Sequence, residues 1–181
     1  MKFLSVIVLF FSFGLQAKNL GGVSGGGGSL ISPTAPAEVQ DPKEIRAIIK
    51  GSKNLLQKFV NAKYSLYKSG NMDFESLKLY TSLFADGENN IHEVLEEITI
   101  DSPLDKPCYD SQGNQFDGST FGQSHHSVCI SAFTIAAKCE KNEVPLQATA
   151  LVFHEFSELA GLSDEDAIRL QKQVLDELKV F

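Results

Sequence analysis

The chain has no apolar run long enough to cross a bilayer. Its longest weakly polar stretch, Phe3 to Leu15 (FLSVIVLFFSFGL), falls short of the roughly 20 apolar residues that a spanning helix needs. Basic residues are also scarce, with 16 Lys+Arg against 23 Asp+Glu and a net charge of −7. Phosphate binding requires clustered Lys and Arg, so nucleic acid and anionic membrane surfaces are excluded as partners. No internal repeat is visible. The run Gly25 to Gly28 lacks a preceding strand and a following Lys-Ser/Thr, so it is not a phosphate loop. A Gly-x-Ser-x-Gly nucleophile elbow is missing too.

What the chain has at its start is a short export signal. Met1 and Lys2 form a positive beginning, the apolar run follows, and Ala17 offers a small residue for cleavage. Residues 1–17 are therefore expected to be a signal peptide, and the protein to be periplasmic or secreted. No Cys follows the apolar run directly, so a lipid anchor is not indicated. Removing Lys2 with the signal leaves 15 basic against 23 acidic residues, a net charge of −8. Phe3, Phe10, Phe11 and Phe13 leave as well. The remaining Leu, Ile, Val and Phe suffice for one ordinary core.

Residues 18–40 contain NLGGVSGGGGSLISPTAPA, rich in Gly, Ser and Pro and poor in large apolar groups. Such a segment buries too little to offset the entropy of ordering it, so it is expected to be a flexible linker. A single domain is expected over residues 41–181. Asp41-Pro42-Lys43-Glu44 carries a helix start, with an Asp N-cap, Pro in the first turn and an acid behind it. Ile45, Ile48/Ile49, Leu55/Leu56, Phe59/Val60 and Leu66/Tyr67 then recur at helical spacing up to Gly70. Further helices are predicted over 73–85 (with a Gly87 cap), 90–97, 132–139, 145–160 and 164–180. The 73–85 segment also tolerates a strand, because Leu77, Leu79, Thr81 and Leu83 alternate. Residues 107–131 read as strand, long Gly-rich loop, strand. The fold class is α+β: mostly helical, with a small antiparallel sheet or hairpin.

Three cysteines in an exported chain make one disulfide and one leftover the simplest count. Three pairings exist. Cys108–Cys129 is favoured because the two flank the polar loop, and closing it is worth about 3 kcal/mol on the chain-entropy account. Cys139 falls in a predicted helix and suits a buried apolar position.

The segment that carries chemistry is ATALVFHEFSELAGLSDEDA, residues 148–167. His154, Glu155 and Glu158 interrupt an otherwise apolar helix, and 154 and 158 share a face one turn apart. Charged groups on a helix packed all round are costly unless paired or bound to metal. The string His154-Glu155-x-x-Glu158-x-x-Gly161-x-x-Asp164 resembles the active helix of the zincin metallopeptidases, whose motif is His-Glu-x-x-His, often followed by x-x-Gly-x-x-His or Asp. Glu158 stands where the second His would be, and no Met follows Met72 to supply the turn of metzincin-type members. The resemblance implies a zincin-like active helix in a peptidase acting on peptides or proteins. His154, Glu158 and Asp164 (or Glu165, His125 or His126) would bind Zn²⁺, and Glu155 would activate its water. One imidazole with two carboxylates also suits Mn²⁺ or Ca²⁺.

Each of these residues has a plainer account. Glu155 and Glu158 can lie on a solvent stripe beside a satisfied His154. Ser163-Asp164-Glu165-Asp166 is an ordinary helix start, with acids where the dipole favours them. His92-Glu93-x-x-Glu96 repeats the five-residue string among polar neighbours and reads as an exposed amphipathic helix. His125 and His126 lie in the loop before Cys129, where one can face a site and the other points away. The alternative to an enzyme is a non-catalytic, metal-free helical module that binds a partner.

Overall fold

Asp41 begins the first helix by accepting the Lys43 N–H at 2.9 Å, and Pro42 follows it as the first helical residue. Helix α1 runs Pro42–Ser69 and ends where Gly70 adopts φ 70, a conformation open to glycine at no cost. It buries Ile45, Ile49, Leu56, Phe59 and Val60, while Leu55 and Leu66 from the predicted face remain partly exposed. The computed structural model of the protein describes residues 27–84, 90–120 and 127–178. The expected signal peptide 1–17, residues 18–26 of the expected linker, the expected Gly87 cap and His125-His126 lie outside the described residues.

Five more helices follow: α2 Phe74–Leu83, α3 Ile91–Glu97, α4 Ala132–Lys138, α5 Val144–Leu159 and α6 Asp164–Leu178. Asp73, Asn90 and Ser131 cap α2, α3 and α4 by accepting backbone N–H bonds. The strand option for α2 is not taken. Helix α5 is buried on every side from Gln147 to Glu158, as expected of a helix apolar all round. It packs chiefly on α6 and α1. Helix α6 is amphipathic, burying Ala167, Leu170, Gln171, Val174 and Leu175.

The strands are short: β1 Thr99–Asp101, β2 Cys108–Tyr109, β3 Gln115–Phe116, β4 Gly118–Ser119 and β5 Ser127–Ile130. β2 and β3 form an antiparallel hairpin. Its turn is tied by Asp110, which accepts from the Gln112 and Asn114 backbone. The other sheet has the order β1-β5-β4 and is mixed. β1 runs parallel to β5 with Thr99 opposite Ser127, and β4 runs antiparallel with Gly118 opposite Ile130. Cys108 and Cys129 are bonded and join the hairpin to β5. Cys139 is a buried free thiol at the end of α4. The fold is α+β. No described helix is long and apolar enough to cross a membrane.

The expected flexible linker does not extend to residue 40. Residues 27–40 form no helix or strand, yet they are fixed to the domain by hydrogen bonds. Leu30 N–H donates to Asp117 Oδ2 at 3.0 Å. Gln171 and Gln147 donate to the Ser29 and Ile31 carbonyls, both at 2.9 Å. Thr34 binds Glu143, and Gln40 N–H reaches Ala136 O. Composition counts apolar surface and misses this, because the segment is held through its backbone and buries one large side chain, Leu30.

Candidate metal centre

Residues His154 and Glu158 sit one turn apart near the end of α5. Gly161, at φ 92, reverses the chain there. Its N–H donates to Glu158 O and that of Leu162 to Ser157 O, at 2.9 and 3.0 Å. Ser163 then starts α6 by accepting the Asp166 N–H at 3.2 Å. This turn folds the first residue of α6 back over α5, so that Asp164 Oδ1 lies 3.5 Å from His154 Nε2. Glu158 Oε1 lies 3.9 Å from the same nitrogen. One ligand atom from each of the three falls within 4.8 Å of the others. Asp164 therefore satisfies two accounts at once: an acid at a helix N-terminus and a member of the cluster.

Burial removes the solvent-stripe account. His154 is 1% exposed, Glu155 0% and Glu158 2%. Asp164 is half-exposed and forms the outer rim. Neither ring nitrogen of His154 has a hydrogen-bond partner among the described residues, nor do Oε2 of Glu155 and Oε2 of Glu158. Leaving such groups unpaired is expensive, and its effect appears in their protonation. Burial lowers the His154 pKa, opposed by the Asp164 charge. Burial, with the Asp164 charge behind it, pushes Glu158 up to about 8. Glu155 is held well above the usual carboxylate range by burial and then by Glu158, against the pull of a Gly28 N–H bond.

That bond places Glu155 apart from the other three. Gly28 N–H donates to Glu155 Oε1 at 2.9 Å. The carboxyl is wedged between two glycines. A Cβ on Gly28 would meet Oε1 at 2.6 Å and one on Gly118 would meet it at 2.7 Å. Only a residue without a side chain lets the backbone pass this close. Gly28 and Gly118 were not singled out from the sequence. The glycine run around 28 was the only trace of the first, and the pairing of distant segments supplies the rest.

Other sequence candidates fall outside the cluster. Glu165 is turned to the surface and binds Arg169 at 2.6 Å, so it is not a ligand. His92 is not on an open helix face as expected. Its ring stacks on Phe84 at 5.7 Å and meets the edge of Tyr64 at 4.9 Å, because one side of α3 lies against the aromatic end of α1. Asp117, buried and paired with Lys138 at 2.7 Å, had no sequence signal and holds Leu30 in place.

A tetrahedral ion keeps its ligands at about 2.0–2.2 Å, which sets them about 3.4 Å from one another. The two edges from His154, 3.5 and 3.9 Å, are near that length. The three ligand atoms lie within 4.8 Å of one another, so the carboxylates would draw in to close on an ion. Two carboxylates also balance the charge of a divalent ion. The buried, unpartnered atoms of His154 and Glu158 fit such a group. The chain matches no family model, no curated protein and no solved structure.

Proposed function

We propose that this protein is an exported, zincin-like metal-dependent hydrolase acting on peptides. His154, Glu158 and Asp164 would hold one divalent cation, with Zn²⁺ the first expectation and Mn²⁺ or Ca²⁺ the oxygen-preferring alternatives. The observation that carries the reading is the convergence of these three side chains, two of them buried without hydrogen-bond partners. A cation in such a centre supplies Lewis-acid polarisation of a carbonyl and makes a water acidic enough to attack near neutral pH.

The chain's own residues have separate tasks. His154 offers a neutral imidazole, which burial favours. Glu158 must give up its proton to become a ligand, and Asp164 leaves the rim of the centre open to solvent. Glu155 is the proton acceptor for an attacking water. Its Oε1 accepts the Gly28 N–H, which leaves Oε2 to take the proton. That same bond favours a second reading, a metal-binding module without catalysis. Export is supported by the N-terminal signal and by the Cys108–Cys129 bond, a cross-link that oxidising compartments preserve.

The test is elemental analysis of the purified mature protein with a Glu158→Ala control. Stoichiometric metal that disappears in the variant supports the centre. A protein free of metal after dialysis against zinc, manganese or calcium sinks it. Glu155→Gln should keep the metal and lose any peptide hydrolysis; equal loss of metal would assign Glu155 a structural role. N-terminal sequencing of exported protein should begin at Lys18.

A further inference from the structure

We infer that residues 27–31 are an exchangeable strap over this centre, occupying the β4 edge on which an extended peptide would add as a further strand. The inference rests on the proposed hydrolase reading and concerns how that site is regulated. β4 is the outer strand of its sheet, and an outer strand presents unpaired backbone groups to any chain laid beside it. Here Gly118 N–H donates to Gly28 O at 2.9 Å. The Gly28 N–H points the other way, into Glu155. A Cβ at residue 28 would also come within 2.8 Å of His154 Cδ2. One residue of the strap therefore covers both the first ligand and the acid beside it.

The strap is gripped as a peptide ligand is gripped. Asp117, Gln147 and Gln171 bind its backbone at Leu30, Ile31 and Ser29, which sets direction without reading side chains. Side chains are read at three positions. Residue 27 passes so close to the Phe116 ring that a Cβ would sit 2.2 Å from it, and residue 28 is equally confined. Residue 30 is buried and apolar. Ser29 is exposed. The site thus selects an extended peptide of the form Gly-Gly-x-Leu, and the chain's own Gly27-Gly28-Ser29-Leu30 fills it. Release breaks a handful of hydrogen bonds and withdraws Leu30, with the partly buried Ile31 beside it, from the edge of the core.

The experiment uses the full mature chain loaded with zinc. Gly28→Val blocks the close approach while leaving all three ligands in place. Hydrolysis of a library of quenched fluorescent peptides should rise at least tenfold in this variant. The synthetic pentapeptide Gly-Gly-Ser-Leu-Ile should reverse the gain. In the unaltered chain, the Gly28 amide should exchange with deuterium at least tenfold faster than amides of Ala150 to Phe153 in α5. A variant that binds zinc normally without any gain in hydrolysis overturns the strap and leaves the hydrolase reading standing. So does a Gly28 amide that exchanges only with the core, including when Gly28→Val fails to fold. If no form binds zinc or cleaves peptide, the hydrolase reading fails by itself. The strap is then decided by the amide rates and by whether the pentapeptide binds Gly28→Val in calorimetry.

Discussion

The carboxyl groups of Glu155 and Glu158 set the pH response of the metal-free protein. Both have pKa values raised in the folded state, and in Glu158 the value reaches about 8. A raised pKa contributes stability below the unfolded value and loses it as pH climbs through the folded one. His154 works in the opposite sense. Its lowered pKa penalises the fold only as pH falls below the ordinary imidazole range near 6.5. Between about pH 6.5 and 8 the carboxyls act alone. Glu158 should cost about 2 kcal/mol of stability across that window, and Glu155 shifts stability in the same direction. Urea titrations with chelator at the two pH values check this, and a flat or rising profile contradicts it. Metal should reverse the trend, because uptake draws the proton from Glu158 and tightens as pH rises toward 8. Gly118 gives a second prediction at this scale. Gly118→Ala would drive a Cβ to 2.7 Å from Glu155 Oε1 and 3.2 Å from Ile130 Cδ1. The overpacking should destabilise the fold by about 1–3 kcal/mol in the same titration.

Among the elements, α1 offers the cleanest contrast with that crowded glycine. Gly51 lies exposed within α1, and nothing stands within 4 Å of where its Cβ would be. Gly51→Ala should therefore stabilise by roughly 0.5–1 kcal/mol, read as a higher denaturation midpoint with unchanged slope. The helices were largely legible in the sequence because their signals are local. Asp41, Pro42 and Gly70 mark the ends of α1, and the spacing of Ile45, Ile49 and Leu56 marks its buried face. The apolar neighbours of His154 and Glu158 in α5 pointed toward their enclosure, while the sequence alone also allowed a solvent stripe, which burial now removes. The parallel pairing of β1 with β5 was not legible, since two strands of three and four residues carry no register of their own. The docking of residues 27–31 was hidden for the same reason. Its partners, Asp117, Gln147, Glu155 and Gln171, lie about 90 to 140 positions away, and nothing in a Gly-Ser run names them. Asp164 was legible as a helix start, and its approach to His154 was not, because that depends on the turn at Gly161.

For the molecule as a whole, the Cys108–Cys129 bond ties the hairpin to the central strand of the mixed sheet. Reducing it should cost about 3 kcal/mol, measured as a drop in thermal or urea stability with and without reductant. Cys139 should behave differently. Burial, with Glu143 and Glu140 close by, pushes its thiol up to about 12. Iodoacetamide at pH 8 should leave it unlabelled until the chain is unfolded, and rapid labelling under native conditions would contradict the buried position.

The glycine turn between α5 and α6 has a consequence of its own. Because Gly161 returns the chain at once, His154, Glu158 and Asp164 all come from one helical hairpin. The proposed centre is therefore a portable unit. A hairpin carrying residues 144–178, grafted onto an unrelated helical scaffold that covers its apolar faces, would bring the cluster's geometry with it and leave the strap behind.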